Sequence, residues 1–194
     1  MLLDFATQGA LTKYRILSNT ITPRPIAWIS TISHNATLNL APFSFFSVVS
    51  SNPVIFSLCM GTKSNGEQKD TLRNLLATKK ATINLVMVDF LPLLESSSQE
   101  LPYERSEASA FDISLQAVHT QYPPIAQGVK VAYFCDLVET KSFGGSDTSV
   151  FLEAKGCFID DVIYREDLRF LPPHLGRVGK YYLQVSELID PKKP

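Results

Sequence analysis

Thr22-Pro23-Arg24-Pro25-Ile26-Ala27-Trp28-Ile29-Ser30-Thr31-Ile32 is the stretch that decides the architecture. From Ile26 onward it is β-branched and aromatic, with Pro23 and Pro25 on one side and Ser33-His34-Asn35 on the other, so it reads as a strand entering a turn. Thr37 to Leu40 continues as the predicted return strand. Phe45 to Val49 and Val54 to Leu58 then flank Ser50-Ser51-Asn52-Pro53. The proline there has no N–H to give to a ladder, and the Asn-Pro step favours a break. Further strands are predicted over Ala81 to Val88, Ile113 to Val118, Val129 to Thr140, Val150 to Val162 and Tyr181 to Val185, all rich in Val, Ile and aromatic residues.

Helices are few. Leu72, Leu75 and Leu76 at helical spacing predict one short helix, with Asp70 placed to cap its first turn. Between Asp89 and Phe111, Leu91, Leu93 and Leu94 give way to Ser/Glu-rich sequence, which suits one or two short helices outside the sheet. Roughly seven to nine strands with so few helices predict a mainly β protein, a β-barrel with a few flanking helices.

A chain of 194 residues suits one sizeable core, so 1–194 is read as a single domain. Hydrophobic residues at 45% and charged ones at 19% give enough apolar surface to offset the entropy of folding. With 18 basic and 19 acidic side chains, and no basic block longer than Lys79-Lys80 or Lys192-Lys193, nucleic acid is excluded as the expected partner. Met1-Leu2-Leu3-Asp4-Phe5 lacks a basic stretch followed by a continuous apolar one, and nowhere do 18 apolar residues run together, so no membrane partner is expected and the expected compartment is the cytoplasm. Cys59, Cys135 and Cys157 are odd in number and each lies in an apolar strand-like run, the pattern of buried free thiols.

Most standard chemistries are absent. His34, His119 and His174 have no local context that makes a general base, and no catalytic residue is assigned. There is no Cys-x-x-Cys, no close histidine pair, and Asp160-Asp161 would point to opposite faces of a strand, so no metal is assigned. Gly-x-Gly-x-x-Gly and the Walker phosphate loop are absent, and Gly144-Gly145 lies between apparent strands with no helix after it, so no Rossmann-type nucleotide site is expected.

What remains are three clusters at strand ends. Arg24 is held between two prolines that fix φ, so its guanidinium is offered from a stiff loop to an anion or a planar ring, or simply to solvent. Asn39-Leu40-Ala41-Pro42-Phe43-Ser44-Phe45-Phe46 mixes hydrogen-bonding and aromatic side chains, as a heteroaromatic ligand or an ordinary strand requires. Lys69 and Thr71 flank Asp70 at the predicted helix start, where N–H groups, a hydroxyl and an ammonium converge as for phosphate.

Taken in order, Pro23-Arg24-Pro25-Ile26-Ala27-Trp28-Ile29-Ser30-Thr31, Asn39 to Phe46, and Lys69-Asp70-Thr71 with Asn74 resemble the flavin reductase-like and flavoredoxin family of FMN-binding split β-barrels. The resemblance weakens through Ser106-Glu107 to Phe111 and returns at Arg177-Val178-Gly179-Lys180-Tyr181-Tyr182. It implies that Arg24, Pro25, Ser30, Thr31, Asn39, Ala41, Pro42, Ser44 and Phe45 line a flavin, and that Lys69, Asp70 and Thr71 hold its phosphate. It further implies non-covalent FMN, with FAD as the alternative, near the interface of a homodimer. Electrons would come from NAD(P)H or a redox protein, and backbone amides near the pyrimidine end of the ring would stabilise the reduced flavin. The alternative within the same family is an electron carrier without turnover. Two departures bear on this choice. Asp147-Thr148 stands where many nicotinamide-dependent members carry Asp-His, and Gly179-Lys180 stands where two glycines are usual.

Overall fold

The structure, a computed structural model, describes residues 2–168 and 174–184; the predicted strand end at Val185 and the pair Lys192-Lys193 lie outside the described residues. Helix α1 (Ala10–Thr20) leads into β1 (Arg24–Pro25), β2 (Ala27–Ile32), β3 (Leu38–Phe43), β4 (Phe46–Ser51) and β5 (Val54–Met60). Helix α2 (Asp70–Thr78) and strand β6 (Lys80–Leu85) follow. The next elements are a 3-10 turn, α3 (Leu91–Ser96), α4 (Glu107–Ala110), β7 (Leu115–Gln116) and β8 (Ile125–Ala126). The long pair β9 (Val131–Ser142) and β10 (Thr148–Ile159) precedes the small hairpin β11 (Leu175–Val178) and β12 (Tyr181–Gln184).

Seven strands form one antiparallel sheet in the order β3-β2-β6-β9-β10-β5-β4. Its two edge strands, β3 and β4, are consecutive in the chain and separated only by Ser44 and Phe45, so the sheet must curl until its first and last strands meet at one corner. They do not pair with each other, and the result is a split barrel.

Strand β2 shows why its sequence is apolar almost throughout. Alternate side chains leave a strand on opposite faces, and both faces of β2 are buried. Ala27 and Ile29 join Phe56, Met60, Leu72 and Leu75 inside the barrel. Trp28, preceded by Ile26, joins Leu94, Ala108, Ile125 and Leu175 in a second core outside it. Helix α2 therefore plugs the barrel, while α3 and α4 cover its outer face. The fully buried Trp28 donates its indole N–H to Ser97 Oγ at 2.9 Å, which pins the end of α3 to that second core.

Several expectations require correction. Asp70 is the first residue of α2 rather than its cap; Lys69 holds the cap position and no side chain caps the helix. The strand predicted over Ile113 to Val118 contracts to Leu115–Gln116, because Asp112 turns to positive φ and drops Ile113 into the outer core. The Arg24-Pro25 loop is strand β1, paired with Arg177 and Gly176 of β11; proline is tolerated because β1 is an edge. Helix α1 was not expected at all. Of the thiols only Cys135 is buried, and burial pushes its pKa up, whereas Cys59 is half-buried and Cys157 exposed. Asp160 and Asp161 follow the end of β10 rather than lie within it, and Asp160 pairs with Lys130 at 2.7 Å.

Candidate functional site

The antiparallel register of β2 and β3 sets Thr31 opposite Asn39. Asn39 Nδ2 donates to Thr71 Oγ1 at 2.8 Å and more weakly to Thr31 Oγ1 at 3.4 Å. Asn74 Nδ2 donates to the same Thr31 oxygen at 3.1 Å, and the Tyr103 hydroxyl donates to Asn74 Oδ1 at 2.8 Å. Thr31, Asn39, Thr71 and Asn74 are all buried, so these bonds fix the first turn of α2 against the open edge of the barrel. That turn carries N–H groups with no acceptor inside the helix and the positive end of its dipole.

A cleft of about 80 Å³ lies in front of the turn, and it brings together Asn39, Ala41 and Pro42 with Lys69, Asp70 and Thr71. Its far wall, residues 97–101, was not singled out in the sequence. Lys63 pairs with Asp70 at 2.7 Å and Lys69 with Glu100 at 2.6 Å. At the cleft edge the buried Glu107 accepts the β3 N–H of Leu40 at 2.9 Å, satisfying one donor of an otherwise unpaired strand edge. Burial pushes the Glu107 carboxyl up, and that hydrogen bond only partly opposes the shift.

Pro42, Phe43 and Ser98 also border a second cleft, of about 220 Å³, which reaches Ser44, Glu95, Arg177 and Tyr182. Arg177 Nη1 donates to Glu95 Oε1 at 3.0 Å, the Tyr182 hydroxyl donates to the same oxygen, and the guanidinium lies 4.3 Å from the Tyr182 ring centroid. The Tyr182 hydrogen bond, aided by Arg177, holds the Glu95 carboxyl below its usual range, while burial and Glu95 push the phenol up.

Arg24, Pro25, Ser44 and Phe45 border a third space, about 360 Å³, beneath α1. Arg24 is only 5% exposed. Its Nη1 donates to the Ser18 carbonyl and Nη2 reaches Ser44 Oγ at 3.5 Å. The guanidinium stands 5.5 Å from the Phe45 ring centroid, and Phe45 in turn stacks on Tyr14. Among the described residues Nε is buried without a hydrogen-bond partner and no carboxylate pairs with Arg24. Burial draws its pKa down, with Tyr14 opposing and the nearby Arg177 adding to the fall.

Two expected residues do not reach these spaces. Ser30 faces the outer core, where its Oγ accepts from Asn84 Nδ2 at 3.1 Å. Thr31, on the opposite face, is fully buried and acts on the cleft only through Asn39 and Asn74. Of the histidines, His34 is exposed, His119 packs edge-on to Tyr122, and His174 is half-buried with its pKa lowered by burial.

Residues 19–173 match the family model described as a flavin reductase like domain. The chain belongs to the flavin reductase-like family. An uncharacterized protein of Aquifex aeolicus is 30% identical over 180 residues, 90% of each chain. Nitrilotriacetate monooxygenase component B from Bacillus cereus superposes with a TM-score of 0.89 at 20% identity, covering 98% of both chains. An FMN-binding protein from Thermus thermophilus, solved with 1-cyclohex-2-enone, superposes at 0.79 and 19% identity, covering 98% of this chain and 100% of its own. These structural likenesses place the split-barrel fold. Membership in the flavin reductase-like family makes a flavin the group to test against the site, and the residues fit. The partnerless buried Nε of Arg24 offers a donor for an electronegative edge. Phe45 offers an aromatic face, and the first turn of α2 with Lys69 offers donors for phosphate.

Proposed function

We propose that this flavin reductase-like protein binds FMN without a covalent bond and acts as a flavin-dependent oxidoreductase. The observation that carries the proposal is the single cleft joining Asn39, Ala41 and Pro42 of β3 to Lys69, Asp70 and Thr71 at the start of α2. Lys69, the N–H groups of the first turn and the Thr71 hydroxyl take the phosphate. Pro42, Ser44 and Phe45 would hold the ring, and the Arg24 cation would complement the negative charge of the reduced flavin. When bound, the flavin supplies the hydride and electron-transfer chemistry. The chain binds it, orients it and shields it. The electron donor is NAD(P)H or a redox protein.

One observation favours the carrier within this proposal. Thr148, where many nicotinamide-dependent members have histidine, is locked into β10 opposite Met60 of β5 and Ser142 of β9, and offers no ring to a nicotinamide. The proposed assembly is a homodimer. Strand β4 is an unpaired edge whose Val48 and Val49 are 61% and 52% exposed, the kind of surface a second chain covers.

The visible spectrum of the purified protein, before and after anaerobic NADH or NADPH, tests the proposal. Flavin bands that bleach support nicotinamide-driven reduction, and bands that persist favour a carrier reduced by another protein. No flavin bands in the protein fraction after FMN is added and the excess removed by desalting reject flavin binding. Lys69→Ala is expected to weaken FMN by about 1.5–3 kcal/mol, roughly ten- to a hundredfold, through loss of one charge-assisted contact. An unchanged titration removes Lys69 from the phosphate site.

A further inference from the structure

The phosphate cleft already holds an anion of its own. Glu100 accepts from Lys69 Nζ at 2.6 Å, from Ser64 Oγ at 2.6 Å and from the Ser64 backbone N–H at 3.1 Å to each carboxylate oxygen. A hydroxyl, a backbone amide and an ammonium converging on one group is the donor set a phosphate monoester would use. The other lysine of the cleft, Lys63, is committed to Asp70 at 2.7 Å. Asp70, Glu100 and the buried Glu107 are the three carboxyl groups of the cleft, and both of its ammonium groups are already paired before any ligand arrives, Lys63 with Asp70 and Lys69 with Glu100. A dianion entering this space meets no unpaired ammonium unless a carboxylate leaves.

Of the three, Glu100 is the one free to go. Glu107 is 5% exposed and holds the Leu40 N–H. The Asp70 side chain is 12% exposed and sits on α2 itself. The Glu100 side chain is 34% exposed and lies outside any helix or strand. Its partners hold the acid at about 2, so at neutral pH it remains charged and competes fully.

Resting on the FMN binding proposed above, we propose that Glu100 is a specificity-determining residue of that site, an internal carboxylate that the flavin phosphate must displace from Lys69 and Ser64. Its presence lowers the advantage of FMN over a flavin lacking phosphate, and so keeps FMN exchangeable.

Titration of FMN and of riboflavin against wild type, Glu100→Gln and Glu100→Asp at one fixed ionic strength tests this. In Glu100→Gln, FMN is expected to bind about three- to tenfold more tightly, with riboflavin unchanged and the wild-type pattern restored in Glu100→Asp. FMN affinity that is unchanged or weaker in Glu100→Gln, or a riboflavin affinity that rises in step, overturns the role of Glu100 while leaving flavin binding standing. Wild type that binds neither flavin overturns the flavin site itself, and this role with it.

Discussion

The two ends of the candidate site are built on opposite principles. At the α2 end, Thr31, Asn39, Thr71 and Asn74 are buried and linked by hydrogen bonds to one another and to Tyr103. At the α1 end, Arg24 is equally buried but keeps a partnerless Nε and no counter-ion among the described residues. Satisfied buried polar groups fix geometry, whereas an uncompensated buried charge costs stability until something of opposite sign approaches. One end is preorganised and the other is poised, and each can be broken separately.

Asn74→Ala should produce the largest effect, a loss of about 2–4 kcal/mol. It removes a donor from Thr31 and leaves the Tyr103 hydroxyl without its acceptor. Urea unfolding measures it, and a loss below about 1 kcal/mol would mean that packing alone seats α2. Glu107→Ala should cost about 1–3 kcal/mol by orphaning the Leu40 N–H. Glu107→Gln keeps an acceptor and removes a buried charge, so it should cost less at pH 7. Because burial raises the folded-state pKa of Glu107, its contribution is most favourable below its unfolded value and declines as pH rises through the folded one. The gap between Glu107→Gln and wild type should therefore move in favour of glutamine between acid and neutral pH.

Arg24→Met should change stability without flavin by no more than about 1 kcal/mol, since relief of an unpaired buried cation offsets the lost bond to the Ser18 carbonyl. Thermal melts with and without FMN should then diverge, wild type gaining more from the ligand than the variant. Equal gains would detach Arg24 from the site. The smallest effect belongs to the exposed Lys69–Glu100 pair, under about 1 kcal/mol in stability. The Glu100 pKa is depressed to about 2, so that contribution is present above the unfolded carboxylate value and fades as pH falls toward 2. Glu100→Gln should flatten this part of the acid limb of the stability profile.

Strand content and the three site segments were legible because each rests on local chemistry: β-branched runs, prolines at strand ends, and a helix start. Helix α1 was not, because Leu11, Tyr14 and Leu17 are exposed and form no buried stripe in the chain. What engages the helix lies outside it, Tyr14 on Phe45 and the Ser18 carbonyl with the nearby Arg24 and the distant Gly179 N–H. The far wall at 97–101 and the Glu95–Arg177–Tyr182 cluster are likewise assembled by tertiary contacts across long separations. The separation of Ser30 from Thr31 was available in principle: in the middle of a strand, adjacent side chains leave on opposite faces of the sheet. The positive φ at Asp112, which ends the predicted strand at Ile113, left no such signal.

Trp28 is the only tryptophan in the chain. Its indole is sealed from water and tethered to Ser97, at one end of the wall that faces Lys69 and Thr71. The protein thus carries a single-site optical gauge beneath its own cleft. Every change in indole emission originates from one ring in one environment, so filling of the cleft and loosening of its wall are readable in the unlabelled protein.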